Sequence, residues 1–450
     1  MKMSILKFGG TSVGSVEAFD RSVRIVKKET RHRHPIVVVS AVGGVTDDLI
    51  GLVDLAKKQK QRLIAGRLNR LEETHKTILQ AFVSPREFQL IWEKEFSPSL
   101  KKLRYVLTGI SYVGELTKKT YAFICSFGEM LSSQIMRYAL INSGMSSLQV
   151  HGRRIIRTNS EYLEAEVDMR RTRESCRRIL LPSIKDGFVP VVMGFIGKDT
   201  HGDTTLLGRG GSDFTASLVG ISMDADQIQI WTDVDGVMSA DPRLISTVKL
   251  WPKMNIDVMA EMANSGAKVL HPKTITAAVR KAIPVYIKNT FNPSAPGTLI
   301  TADSRRGLKG VQCVKGQMLI HLQTPEMLHA FGFIQRCSQV FVQHNISVDV
   351  CATSEISFTS SIAASDYSRR LFKNLSKIAH VDLHPDLAKI CVIGSNVSHD
   401  AQLISAIFEI LTPYRIYTVS IGASFHNITF FVSESQSDEV LLRLHQKLFE

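Results

Sequence analysis

Ser4-Ile5-Leu6-Lys7-Phe8-Gly9-Gly10-Thr11-Ser12 begins with a short apolar strand, carries a basic residue near that strand's carboxyl end, and continues into a glycine pair. Residues 16–26 follow with apolar positions at helical spacing, so the segment reads as strand, glycine turn, helix. Glycines lacking Cβ let backbone N–H groups approach phosphate oxygens, and the helix N-terminus beyond adds positive potential. Lys7 can reach the same oxygens as a point charge. The same residues would also make a plain turn with Lys7 snorkelling to solvent, and this segment alone leaves both readings open.

Far along the chain, Leu207-Gly208-Arg209-Gly210-Gly211-Ser212-Asp213 again sets glycines beside fixed charge. It follows the apolar run 189–193, the turn Gly194-Phe195-Ile196-Gly197 and a polar loop, and Ala216, Leu218 and Val219 then open a helix. An Arg fork suits bidentate capture of a planar carboxylate, and an Asp just beyond it can accept from an ammonium group. Together they can hold both charges of an amino acid, although Asp213 would serve equally as a helix cap.

Residues 35–40, 189–193 and 227–231 are continuous apolar runs of the kind buried in parallel sheets, with helical patterns between them, which predicts an α/β sandwich. Residues 52–107, rich in Lys, Glu, Gln and Leu, are expected to form a helical excursion and a partly mobile lid before the chain returns to the core at Tyr121. Turn-rich stretches at 292–297 and 304–310 predict the end of this first domain near residue 300. Strands at 318–322 and 346–351, a helix near 331–343, then strands at 390–393, 416–421 and 428–432 with helices at 401–411 and from 438 repeat one α+β pattern about twice. The expected domains are 1–300, 301–385 and 386–450, the last two either consecutive or interleaved.

The net charge of +13 would permit nucleic-acid or membrane-surface binding. Its richest segment, Arg153-Arg154 to Arg157 followed by Arg170-Arg171-Arg173 and Arg177-Arg178, accompanies a packing stripe of Met169, Thr172, Cys176, Ile179 and Leu180, which puts those arginines on a solvated helix face. No aromatic reader motif accompanies them, so neither nucleic acid nor membrane is an expected partner. No apolar run approaches the ~20 residues that cross a bilayer. Lys7 and the glycines interrupt any secretory h-region, and six scattered cysteines without C-x-x-C suggest reduced thiols, so a cytoplasmic location is expected.

Six motifs in order give the chain a specific likeness: KFGGTS from Lys7, Ser40-Ala41-Val42-Gly43-Gly44-Val45-Thr46, Ser126-Phe127-Gly128-Glu129, the GRGGSD loop from Gly208, Trp231-Thr232-Asp233-Val234-Asp235-Gly236 running to Asp241-Pro242-Arg243, and Ser265-Gly266-Ala267-Lys268-Val269-Leu270-His271-Pro272. Along its whole length the chain resembles the aspartokinases, in the wider amino acid kinase group. The resemblance implies a three-layer α/β sandwich with a mostly parallel central sheet, followed by two ferredoxin-like ACT modules. It also implies ATP-dependent phosphorylation of the L-aspartate side-chain carboxylate, the first step towards lysine and diaminopimelate, threonine and methionine.

By that resemblance, Lys7 stabilises the transferred phosphoryl group while the Gly9-Gly10-Thr11-Ser12 backbone and a Mg²⁺ carried with ATP hold the phosphates. Arg209 grips the α-carboxylate, Glu129 and Asp213 meet the α-ammonium, and Ser40 and Thr46 line the aspartate pocket. Thr232, Asp233, Arg243 and Lys268 match positions around ATP, and Met238 stands where the family usually has Tyr. Asp203 and Leu206 replace the usual Arg and Thr of the substrate loop. Ser126 and Glu129 also form an S-x-x-E pattern that would cap a helix. A free carboxylate, pKa ~3.9, is ionised at pH 7 and needs no general base.

The second part resembles the lysine-binding ACT modules of the monofunctional, lysine-sensitive type. Met327, Ala330, Gly332, Phe333, Asp349, Ser354 and Glu355 match the effector signature, with Asp349 and Glu355 placed to neutralise an ammonium and Ala330 standing where a serine is common. Family modules pair between subunits, implying a homodimer or a tetramer built from such dimers. Gly10-Thr11-Ser12-Val13-Gly14 matches a hydrolase nucleophile elbow, but fewer than ten residues precede it, too few for the strands such an elbow follows. A glutamate-type amino acid kinase would lack this tail, and a non-catalytic ACT sensor would be expected to have lost Lys7 or Arg209.

Overall fold

Strand β1 (Met3–Phe8) is buried along its whole length. In the computed structural model, which describes residues 1–266, 274–303, 307–325 and 331–450, it lies at the centre of an eight-stranded sheet. The sheet takes β2 (His34–Val39), β3 (Ser147–Val150) and β4 (Val189–Met193) from the first part of the chain. A hairpin follows, β5 (Ile196–Lys198) with β6 (Thr204–Leu206), outside the main sheet. Strands β7 (Gln227–Thr232), β8 (Lys253–Asn255), β9 (Val285–Asn289) and β10 (Thr298–Thr301) complete the order β3-β4-β2-β1-β7-β9-β10-β8. All neighbours are parallel except β9 and β10.

Helices cover both faces, which is why the central strands read as unbroken apolar runs. Leu6 and Phe8 face α1 (Val16–Glu29), α2 (Val45–Lys57) and the helices of the excursion in one core. On the opposite face Ile5 lies under Gly220, in a helix spanning Gly211–Met223. The chain leaves β1 for β2 on one side while β7 pairs on the other, so the carboxyl ends of β1 and β7 open at a topological switch point, where α/β sheets bind ligands.

The excursion is helical, as α3 (Gln61–Gln80), α4 (Pro85–Ile91) and α5 (Ser97–Val113), but it is not a lid. Leu68, Leu71, Ile78, Leu79, Trp92, Phe96, Leu103 and Leu107 are buried in the same core as β1 and β2. Burying such a stripe, at about 1.5–3 kcal/mol per large apolar side chain, outweighs the exposure suggested by the polar composition. Then come α6 (Lys118–Cys125) and α7 (Phe127–Asn142), α8 (Gly152–Ile155), α9 (Met169–Lys185) and α10 (Gly211–Met223). No helix among the described residues is long and apolar enough to cross a membrane.

The chain forms two units, and the second comprises Met238–Trp251, Asp257–Lys268 and Asp303–Glu450. Two of those segments fall inside the first 300 residues, which the sequence reading had assigned to a single domain. The second unit is a six-stranded antiparallel sheet of β11 (Gly307–Gln323), β12 (Cys351–Thr353), β13 (Ser357–Ala363), β14 (His380–Ser395), β15 (Thr418–Ile421) and β16 (Asn427–Ser433), ordered β12-β13-β11-β14-β16-β15. It carries two α+β cores. One gathers Met318, Ile320, Leu322, Phe341, Phe358 and Leu371; the other gathers Val311, Ile390, Val392, Ile407, Phe430 and Leu444. The long strands β11 and β14 contribute to both, so the modules interleave and β14 runs straight through position 385. The strand expected at 346–351 is displaced to β12, which shares only Cys351 with that range; residues 349–350 instead bond irregularly to Ser361, Val350 N–H donating to its Oγ.

Candidate active site

Lys7, Gly10, Ser40, Thr46, Glu129, Arg209 and Asp213 line one cavity of about 650 Å³ in the first unit. Seven residues expected from sequence to handle phosphate or amino acid thus share one space, at the carboxyl end of the parallel strands. Lys7 reaches it from the end of β1, and its buried Nζ lies 2.6 Å from Asp213 Oδ1. The sequence reading gave these two side chains separate partners, but the structure joins them. A buried ammonium needs a compensating charge, and the first turn of α10 supplies one. Asp213 does not cap α10, whose N-cap is Gly210 at φ +71°, a left-handed conformation that suits glycine.

Arg209 contrasts with that pair. Its flanking glycines, Gly208 and Gly210, both have positive φ and turn the loop so that Arg209 lines the cavity from an exposed position. Among the described residues its guanidinium has no hydrogen-bond or ion-pair partner, which leaves the whole fork for a ligand.

Glu129 sits in the first turn of α7 and is 4% exposed. The S-x-x-E cap does not form: Ser126 Oγ donates to the Phe123 carbonyl at 2.6 Å, and the Glu129 side chain turns to the cavity instead. Burial pushes its pKa up to about 8, against the opposing pull of backbone hydrogen bonds at Ala41 and Glu129 and of the Lys7 charge. The helix N-terminus favours the anion by only about 0.3–1 kcal/mol, too little to reverse that. Glu129 Oε2 and Asp213 Oδ1 have no hydrogen-bond partner among the described residues; the Lys7 contact is close but not aligned as a hydrogen bond. Two carboxylates with unused acceptor capacity beside an unpartnered guanidinium make a socket for a zwitterion. Gly128 lets α7 approach this closely, since a Cβ there would lie 2.7 Å from Ala41 Cβ.

The glycine turn differs from the simple strand-to-helix exit. A 3₁₀ turn at Thr11–Val13 intervenes, and α1 begins after Ser15, whose side chain caps Ala18 N–H. Gly9 N–H donates to the Trp231 carbonyl and Ser12 N–H to Gly9, while Ser12 Oγ is buried against Trp231 and Thr290. Among the described residues the Gly10 and Thr11 amides carry no such bond, so the usable donors of this turn are those two. A Cβ on Gly9 or Gly10 would enter the space beside Lys7 Nζ and the Ala41 carbonyl. Thr232 ends β7, next to β1, and Asp233 follows it, with Thr232 Oγ1 bonded to Asp233 Oδ1 at 3.0 Å. Met238 and Arg243 belong to the second unit, where Arg243 pairs with Asp241 at 2.6 Å. Lys268 lies outside the described residues.

Tyr121, Glu164 and Phe195 also line the cavity, though the sequence reading assigned none of them to it. The one available signal was the glycine on either side of the Phe195-Ile196 pair. Phe195 adopts φ +70°, a strained conformation for a bulky residue, and is held by Thr215 Oγ1 on its N–H and by Leu207 N–H on its carbonyl. Asp203, the departure in the substrate loop, pairs with Lys119 at 2.7 Å and accepts from Tyr162.

In the second unit Gly332 caps the helix Phe333–Gln343 at φ +80°, and Phe333 is buried. Ser354 closes a turn by accepting from Ser357 N–H, which leaves Glu355 exposed at its tip. Asp349 forms an ion pair with the buried Lys389. Met327 and Ala330 lie outside the described residues.

The amino acid kinase family signature matches residues 2–289. The lysine-sensitive aspartokinase 3 of Escherichia coli (strain K12) is 32% identical over 458 residues, covering 99% of each chain. The crystal structure of Escherichia coli aspartokinase III with lysine and aspartate, a T-state, is 31% identical and superposes with a TM-score of 0.86 over the full length of both chains. The same enzyme with aspartate and ADP, an R-state, gives 0.84 at the same identity and coverage.

Proposed function

Since the chain belongs to the amino acid kinase family, and within it to the aspartokinases, we propose that it transfers the γ-phosphoryl group of ATP to the side-chain carboxylate of L-aspartate, giving 4-phospho-L-aspartate. The observation that carries this reading is the single cavity in which an unpartnered Arg209, the buried Glu129 and Asp213, and the strand-end Lys7 converge.

Arg209 binds the α-carboxylate bidentately. Glu129 and Asp213 accept from the α-ammonium, which supplies the partner that Glu129 Oε2 lacks and shares Asp213 with Lys7. Ser40 and Thr46 border the side chain, whose carboxylate is the nucleophile and is ionised without help. Lys7, held by Asp213, stabilises charge spreading over the phosphoryl oxygens in the transition state. The free amides of Gly10 and Thr11 and the glycine-lined space beside Lys7 fit a phosphate chain, and Thr232 and Asp233 lie at the neighbouring strand end. Gly9 and Ser12 shape that turn, while Met238, Arg243 and Lys268 are assigned to the nucleotide by motif. Mg²⁺ bound with the nucleotide would neutralise further phosphate charge.

The interleaved modules serve as the regulatory unit, taking L-lysine at Gly332, Phe333, Asp349, Ser354 and Glu355, together with Met327 and Ala330. Differential affinity for two states would then set activity. The enzyme acts in the cytoplasm as a homodimer through these modules, or as a tetramer of such dimers. Incubation with ATP, Mg²⁺ and L-aspartate in the presence of hydroxylamine should give a trapped aspartyl hydroxamate, with little product from L-glutamate. Folded protein that yields none refutes the assignment.

A further inference from the structure

Four cations converge on a second cavity of the first unit, of about 750 Å³, that shares no lining residue with the one holding Lys7 and Arg209. Arg154 comes from α8, Arg157 from the segment after it, Arg178 from α9 and Lys198 from the end of β5; among the described residues no carboxylate lines the space. Other arginines of α9 are paired: Arg170 with Glu174, Arg171 with Asp168, and Arg173 and Arg177 with Asp224. Among the described residues none of the four in the cavity has a carboxylate partner. Arg157 has only neutral contacts, Nε with Ser175 Oγ at 3.3 Å and a guanidinium N–H with the Arg154 carbonyl at 3.4 Å.

Desolvation, with Arg178 and Arg171 nearby, pulls the Arg157 pKa down; desolvation, with Arg157 and Arg153 nearby, does the same to Lys198. The cluster is thus held together against its own repulsion. The adjoining hollow, which shares Arg157 and Lys198, does contain carboxylates. Asp168 there is committed to Arg171, while Asp199 accepts from Ser160 and from the His201 and Asp203 amides.

We propose that this cavity, at the β3 edge of the sheet, is a binding site for a small anion bearing at least two neighbouring phosphoryl charges, a phosphorylated metabolite rather than a nucleic acid. Four converging cations need more than one negative charge to offset their repulsion, and a fork such as Arg157 or Arg178 suits phosphate oxygens. The recess is concave, and among the described residues no aromatic side chain lines it for bases to stack on.

The test is calorimetric titration of the full chain with inorganic pyrophosphate at about 150 mM salt, where the Debye length is about 8 Å. Parallel titrations use Arg178→Gln/Lys198→Gln, which spares the internally bonded Arg157, and Lys7→Ala, which weakens any binding in the active-site cavity. The expected result is binding to the native chain and to Lys7→Ala, weakened about tenfold or more in the double variant. Orthophosphate should bind more weakly than pyrophosphate in the native chain. Absence of pyrophosphate binding, or binding that the double substitution leaves intact, overturns the proposal. So does tight binding of a single-stranded oligonucleotide that pyrophosphate fails to displace.

Discussion

Glu129→Gln removes a buried cavity carboxyl group whose pKa desolvation raises. With its pKa pushed up to about 8 by burial, it is mostly protonated at pH 7. An aspartate ammonium placed against Glu129 favours the carboxylate, so binding at pH 7 should expel most of a proton per site as the bound value returns to the ordinary range. The same shift sets the pH dependence of stability. The folded value lies above the ordinary 4.5, so between 4.5 and about 8 the unfolded chain binds fewer protons than the folded one. Ligand-free stability therefore falls as pH rises through that window, by at most about 1.4 kcal/mol per unit. Aspartate binding titrated at pH 7 in two buffers of different ionisation enthalpy measures the proton count directly. Release near one proton in the native chain, and near zero in Glu129→Gln, is the expected pair of results. Measurable binding without buffer dependence in the native chain, or equal release from the variant, refutes the assignment of Glu129 to the ammonium.

Two further outcomes follow from close contacts. Gly128→Ala puts a methyl group 2.7 Å from Ala41 Cβ, which must push α7 away from the loop after β2. A loss of about 1–3 kcal/mol in denaturant titration, with a raised KM for aspartate, is expected, and an unperturbed variant would show the contact to be slack. Lys389→Met frees Asp349 from its internal ammonium while keeping the side chain's bulk. L-lysine binding should tighten by about tenfold, the scale of one charge-assisted contact, and unchanged or weaker binding by calorimetry would separate Asp349 from the effector.

The parallel sheet was legible because strands buried on both faces leave continuous apolar runs, and residues 189–193 in sequence became β4 residue for residue. The site was legible because glycines beside Lys7 and Arg209 mark turns that few other sequences can make. What stayed hidden depended on partners distant in sequence. The helices after α2 show a polar composition, yet one stripe including Leu71 and the fully buried His75 faces inward; burial lowers the pKa of that histidine to about 4. The Ser126–Glu129 spacing fits a cap, and only the Phe123 carbonyl's capture of the serine hydroxyl rules it out. Nothing local tells that residues 238–251 join the second unit, where the Ser239 carbonyl accepts from Val311 N–H. The Lys7–Asp213 pair likewise exists only once β1 and α10 have been brought together.

In the function proposed, labour divides across one cavity, with Lys7 serving the phosphoryl group and Arg209 the acceptor. Steady-state hydroxamate formation with aspartate varied, in native chain, Lys7→Ala and Arg209→Ala, tests it most directly. Lys7→Ala should lower kcat with KM for aspartate nearly unchanged, whereas Arg209→Ala should lose about 2–5 kcal/mol in kcat/KM, chiefly through KM. Loss of aspartate binding in Lys7→Ala, or an unaltered aspartate KM in Arg209→Ala, would contradict it.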